Sequence, residues 1–179
     1  MSRLLFPLRN HIERYDRKNC HLDDHKKYKQ LFDLKPNGYW YGFRDSWYEF
    51  WGSKDENLVC EVKIKNDAFT NFEKQENNKI LMIKNLDDIK KLNKLYGKII
   101  KDYKEKQLRI IEWKVLSKKY GGIEFRNYKK LKEEIKKSKT LKKRRDYSWY
   151  LTVDVESGCV WDLDIIEVEK IGKLKDFVK

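Results

Sequence analysis

The chain of 179 residues has little of what breaks or cross-links a backbone: two prolines, eight glycines and three cysteines. Both prolines, Pro7 and Pro36, fall in the first quarter, and no stretch rich in Pro, Gly or Ser divides the rest. A length of this order matches one domain, taken as 1–179. Cys20, Cys60 and Cys159 are an odd set with no CxxC pair, which argues against a disulfide framework and against a cysteine-based zinc site. A reducing compartment follows. His11, His21 and His25 show no metal-ligand spacing, so no metal is expected. The longest apolar runs, such as Ile80 to Ile83, fall far short of the roughly 20 residues of a membrane span. The opening stretch from Met1 to Arg9 has a short apolar patch but no signal-peptide core with a small-residue cleavage site. The chain is expected to stay in the cytoplasm and away from membranes.

What is present is charge and aromatic area. Charged residues make up 40% of the chain and apolar residues another 40%, so the core must be built economically; 25 aromatic residues supply the area. Disorder is therefore not expected. Thirty-three Lys and nine Arg against 29 acids leave a net charge of +13, which favours contact with polyanions. Lysine is a hydrated point charge rather than a reader of base edges, so the affinity expected is non-specific. The charge is uneven. Between Lys129 and Arg145 there are ten basic residues and two acids, a local net of +8, whereas from Asp146 onward eight acids face four lysines.

Hydrophobic spacing and turn residues predict the elements. An amphipathic helix is expected over 23–34, a turn at Pro36-Asn37-Gly38, an aromatic strand over 38–42, and a helix over 45–51 that places Trp47, Phe50 and Trp51 on one face. Strands are expected over 58–64 and 79–83. Asn85 caps a helix whose apolar stripe runs from Leu86 through Tyr96, Ile99 and Ile100 to Tyr103. A second helical stretch covers 110–119 and ends at Tyr120-Gly121-Gly122 before a strand over 123–125. A lysine-rich helix over 128–139 has a thin apolar stripe and reads as peripheral, with the whole basic segment 128–145. Strands over 147–155 and 160–165 would form a hairpin across Glu156-Ser157-Gly158-Cys159. Without regular βαβ alternation this is an α+β domain, a mixed or antiparallel sheet flanked by helices.

Three clusters hold more unusual residues than a core requires: Lys35-Pro36-Asn37-Gly38-Tyr39-Trp40-Tyr41-Gly42 followed by Trp47 and Trp51; Tyr120-Gly121-Gly122-Ile123-Glu124; and Trp149-Tyr150, Asp154, Ser157-Gly158-Cys159-Val160-Trp161-Asp162. Together they resemble a family of small proteins of bacteriophages and large DNA viruses, some with fungal relatives, that carry KPxGLWxS, YxGIE and WY...D..SGCIW in this order. The resemblance spans about 35–162. The chain departs from it at Tyr39, where Leu is usual, and at Gly42, where Ser is usual, so no hydroxyl is carried at 42. The family layout looks like an ADP-ribosyltransferase, which implies NAD as substrate and, for a viral protein, the infected cell or the virion as location. In that layout Glu124 is the catalytic carboxylate that holds the ribose 2′-hydroxyl and shares its developing positive charge. Tyr39, Trp40 and Tyr41 offer a face on which nicotinamide stacks, and Gly38 lets the backbone approach its amide. His11 is the early donor, in His11-Ile12-Glu13 where relatives carry His-Tyr-Ser/Thr. Lys35, Trp47, Tyr120 and Asp154 complete the substrate-binding set, and the three clusters are expected to share one cleft.

Each residue also has a plainer role open to it. Trp40, Trp47, Trp51, Trp113, Trp149 and Trp161 are the large side chains that a sparse core needs. Glu124, between Ile123 and Phe125, alternates as a solvent-facing strand residue does, and Asp154 shares that ambiguity. Cys159 has no His nearby in sequence to activate it. The alternative function is a non-catalytic basic module that holds nucleic acid or a host protein, with Lys142, Lys143, Arg144 and Arg145 as the densest part of the contact face and exposed aromatics for stacking.

Overall fold

The computed structural model describes residues 3–5, 29–30, 34–43, 58–65, 67–101, 107–137 and 146–173. In chain order the elements are β1 (Arg3–Leu5), β2 (Tyr39–Gly42), β3 (Leu58–Ile64), β4 (Phe69–Thr70), β5 (Ile80–Ile83), α1 (Leu86–Tyr96), β6 (Gly97–Lys101), β7 (Gln107–Ile111), α2 (Trp113–Leu116), β8 (Gly122–Phe125), α3 (Tyr128–Lys137), β9 (Ser157–Val160) and β10 (Ile166–Lys173). Two 3₁₀ turns, Tyr150–Thr152 and Leu163–Ile165, flank β9. The fold is α+β. Its centre is a five-stranded mixed sheet of order β2-β9-β8-β5-β4, in which β9 runs antiparallel to both its neighbours, β2 and β8, while β8, β5 and β4 are parallel. A three-stranded antiparallel sheet, β1-β3-β10, and a two-stranded hairpin, β6-β7, complete it.

The period of two along each central strand sends alternate side chains into two cores. Trp40, Leu81, Ile83, Ile123, Phe125 and Cys159 join the stripes of α1 and α3 and the aromatics Trp113, Trp149 and Tyr150. Tyr39, Tyr41, Ile80 and Val160 point the other way, into a smaller core with Val62 of β3 and Ile166 of β10. The central sheet therefore lies between a helical layer and the β1-β3-β10 sheet.

The helix capped by Asn85 forms as expected at its start. The Asn85 side chain accepts from the Asp88 N–H at 2.9 Å, and the Asp88 carboxylate accepts from the Asn85 N–H in return, a capping box. It ends at Tyr96, well short of Tyr103. A Cβ on Gly97 would lie under 3.0 Å from the Asn93 carbonyl oxygen, a close approach open only to glycine, and there the chain turns extended. Ile99 and Ile100 then pair with Arg109 and Leu108 across the hairpin, where β-branched side chains are at ease. The same pairing overrides the helix expected over 110–119: Ile110 and Ile111 are strand, and only the single turn of α2 is helical.

Two further expectations are corrected. The stretch 147–155 is not a strand, because Tyr147, Trp149, Tyr150 and Val153 are all buried, which alternation would forbid; successive turns, with Tyr150 N–H bonded to Tyr147 O and Val153 N–H to Tyr150 O, turn all four inward. The supposed turn at 156–159 is instead β9, buried throughout and paired on both sides, and the chain beyond it enters the Asp162-capped turn before β10. The lysine-rich helix α3 is less peripheral than its composition implies, since Tyr128, Leu131 and Ile135 enter the main core. Of the helix expected over 23–34, Lys29, Gln30 and Leu34 are described and none is helical: Asn37 N–H donates to the Gln30 side chain at 2.9 Å and the Asn37 amide to Lys29 O at 3.1 Å, a loop clamp. The helix expected over 45–51 lies outside the described residues.

Candidate functional site

The three sequence clusters do meet, on the adjacent strands β2, β9 and β8. Tyr41 faces Gly158, and Gly158 faces Glu124, so the three form one row across the sheet, with Met82 of β5 next beyond Glu124. A Cβ on Gly158 would fall under 3.0 Å from three atoms of the Tyr41 phenol. The absence of that carbon is what lets the Tyr41 ring cross β9 and donate its hydroxyl to Glu124 Oε2 at 2.5 Å. Glu124 Oε1 accepts from Arg126 Nε at 2.6 Å, and the Arg126 guanidinium lies over the Phe43 ring, 4.1 Å from its centroid. Phe43 in turn meets Tyr41 edge to face at 6.0 Å.

Glu124 is fully buried, against the solvent-facing position its alternation implied, because its face of the sheet is covered as well as the opposite one. A carboxylate in that place must be paired, and both its oxygens are. Arg126, 25% exposed, is the edge of the network nearest solvent. Sequence reading missed it, although Glu124 and Arg126 at spacing i, i+2 on a strand share a face.

The other predicted residues are placed as follows. Tyr39, Trp40 and Tyr41 are buried, so their rings fill the two cores and present no open face for stacking. The Trp40 indole and the Cys159 thiol both donate to the Pro36 carbonyl, at 3.2 Å and 3.7 Å. Gly38 is covered closely by the Val160 carbonyl, so its backbone is approached by β9 rather than by a ligand. Burial pushes the Cys159 thiol well up, the opposite of an activated nucleophile. Tyr120 is buried too, its carbonyl accepting from the Trp161 indole at 2.5 Å. Lys35 and Asp154, 119 residues apart, form an ion pair at 2.6 Å, with Asp154 in the left-handed region at φ 72°. Burial pushes the phenol of Tyr128 up to about 12, and the Asp154 carboxylate adds to the rise. Tyr128 and Tyr150 pack ring to ring at 5.3 Å, and the buried Tyr150 hydroxyl finds no partner among the described residues. His11, Trp47, Lys142, Lys143, Arg144 and Arg145 lie outside the described residues.

Open space lies elsewhere. A cavity of about 470 Å³ at the starts of β4 and β5 is lined by Lys65, Asp67, Ala68, Asn77, Asn78, Lys79, Asp162, Asp164 and Ile165. A groove of about 240 Å³ between α1 and β7 is lined by Lys90, Asn93, Lys94, Arg109, Asp146 and Tyr147. Among the described residues none of the predicted site residues lines either one; Asp162, at the end of the third sequence cluster, lines the first, and Asp146, directly after the basic segment, lines the second. Among the described residues no helix is long and apolar enough to cross a membrane. No family model, curated protein or solved structure matches the chain.

Proposed function

We propose that the protein is a polyanion-binding module whose ligand is nucleic acid, held through its phosphates by lysine. The observation that carries this is where the cations stand. Lys129, Lys130, Lys136 and Lys137 are exposed on α3, and the basic run they begin ends at Arg145, immediately before a groove lined by Lys90, Lys94 and Arg109. Cations on both sides of one run match the repeating charge of a phosphate backbone, and counterion release makes such contacts favourable without any base readout. The buried state of Trp40 and Tyr41 supports backbone contact over stacking.

The test is fluorescence anisotropy with a labelled oligonucleotide. Affinity of about 1–100 μM near physiological salt is expected, falling more than about tenfold between 50 and 200 mM salt. Replacing Lys142, Lys143, Arg144 and Arg145 together by Gln removes most of it. Affinity indifferent to salt overturns the reading.

A second reading, nucleotide binding with ADP-ribosyl transfer from NAD, is favoured by one observation: the aromatic strand and the late carboxylate are joined by the Tyr41–Glu124 hydrogen bond. It requires Arg126 to leave Glu124 so that a ribose can reach the carboxylate. Glu124→Gln then lowers NAD turnover by about 100-fold or more with nucleotide binding retained. Turnover at the parent rate, or no NAD binding at millimolar concentration by calorimetry, excludes it.

A further inference from the structure

The groove between α1 and β7 already holds an anion, and the anion belongs to the protein. Lys90 and Lys94 stand one turn apart on α1, Arg109 projects from β7, and the Asp146 carboxylate accepts from Arg109 Nε at 3.2 Å. Lys90 Nζ is held by Asp87 at 2.6 Å on the same helix, so Arg109 is the cation that engages the Asp146 carboxylate, with Lys90 and Lys94 lining the same groove. The segment bearing that carboxylate is stitched down independently of it: the Asn93 amide donates to the Asp146 carbonyl at 2.8 Å, Asn93 Oδ1 accepts from the Trp149 indole at 2.7 Å, and Ser148 Oγ donates to the Arg109 carbonyl at 3.1 Å. Asn93 is buried, so this support is rigid. The Asp146 side chain can rotate away without the groove losing its wall.

We propose that this groove is a phosphate-binding subsite for a nucleic-acid backbone, and that Asp146 is a built-in occupant which the phosphate displaces from Arg109. The proposal rests on the polyanion reading and gives it a defined seat. A phosphodiester presents two oxygens in the geometry that a guanidinium fork accepts, and brings further phosphates to Lys90 and Lys94, which one aspartate cannot. In the free protein the carboxylate offsets part of the groove's charge, and loose anions of single charge gain little there.

The experiment compares variants of the full chain by anisotropy with a fluorescein-labelled single strand of about 20 nucleotides at low salt. The double variant Lys90→Gln/Lys94→Gln is expected to weaken binding about tenfold and to flatten the salt dependence by about 0.7 in log–log slope for each phosphate that is no longer neutralised. Lys74→Gln/Lys119→Gln, which removes two exposed lysines outside the groove, is expected to cost no more than about twofold. Asp146→Asn tightens binding by roughly threefold or more, whereas Glu73→Gln, the same charge change at an exposed site outside the groove, stays near the parent. If the parent binds but both lysine pairs weaken it equally, the groove is overturned and the polyanion reading stands. If the parent does not bind at all, that reading falls. Asp146→Asn that binds no tighter than Glu73→Gln overturns the built-in occupant. Polyglutamate that displaces the strand as well as unlabelled oligonucleotide does overturns nucleic acid in favour of an acidic protein.

Discussion

At the scale of single residues, the unusual positions are explained by what lies opposite them across the sheet. Gly158 is small because the Tyr41 phenol occupies the volume above it, and Glu124 can be buried because that phenol and Arg126 arrive there. This makes the row a test of interlocking. Gly158→Ala forces the Tyr41 ring aside, which both overpacks the sheet and loosens the hydrogen bond to Glu124, so a loss of about 2–4 kcal/mol is expected in urea denaturation. In the Tyr41→Ala background the clash is gone, and the same substitution is expected to cost under about 1 kcal/mol. Equal losses in the two backgrounds contradict the row. The strand Gly122–Phe125 was legible in the sequence, but the pairing of Glu124 was not: alternation tells which face a residue is on, and only the second covering layer tells whether that face meets water.

Among the elements, α1 shows how far local signals reach. Asn85 and Asp88 are close in sequence and sufficed to place its start, and Asn85→Ala is expected to cost about 1 kcal/mol by thermal or chemical denaturation. Its end was not legible, because Ile99 and Ile100 continue an apolar pattern that suits a helix and a hairpin equally. The pairing of β6 with β7 decides between them, and this pairing joins two segments, which the periodicity of one segment cannot contain. For the same reason 147–155, rich in aromatics, looked like a strand. Four inward side chains within seven residues need a coiled backbone, and the need comes from the core around Trp113 and Phe125.

For the molecule as a whole, two properties are set by many residues at once. One is the buried phenol set of Tyr120, Tyr128 and Tyr150, each pushed upward chiefly by burial, Tyr128 to about 12 from an ordinary value of 10.0. The neutral phenols favour the folded state, a contribution complete below pH 10; above it the unfolded chain releases protons that the folded chain keeps, so stability falls as pH rises through 10 towards 12. Phenolate absorbance should show these tyrosines ionising together with unfolding rather than before it, and their titration in a still-folded protein would contradict the packing. The other is the net charge of +13, which favours polyanions as partners, while the standing of the cations on α1, α3 and β7 carries the choice among them. Composition and periodicity by themselves determined the α+β class, the economy of the core, the starts of α1 and α3 and the strands β2, β3, β5 and β8, because these depend on neighbours in the chain. Tertiary structure alone decided that Glu124 is sealed, that Tyr39, Trp40 and Tyr41 are core, that Lys35 meets Asp154, and that Arg109 of β7 meets Asp146 in a groove shared with Lys90 and Lys94 of α1. Each of those facts depends on how segments tens of residues apart are superposed, and no spacing within a segment encodes that.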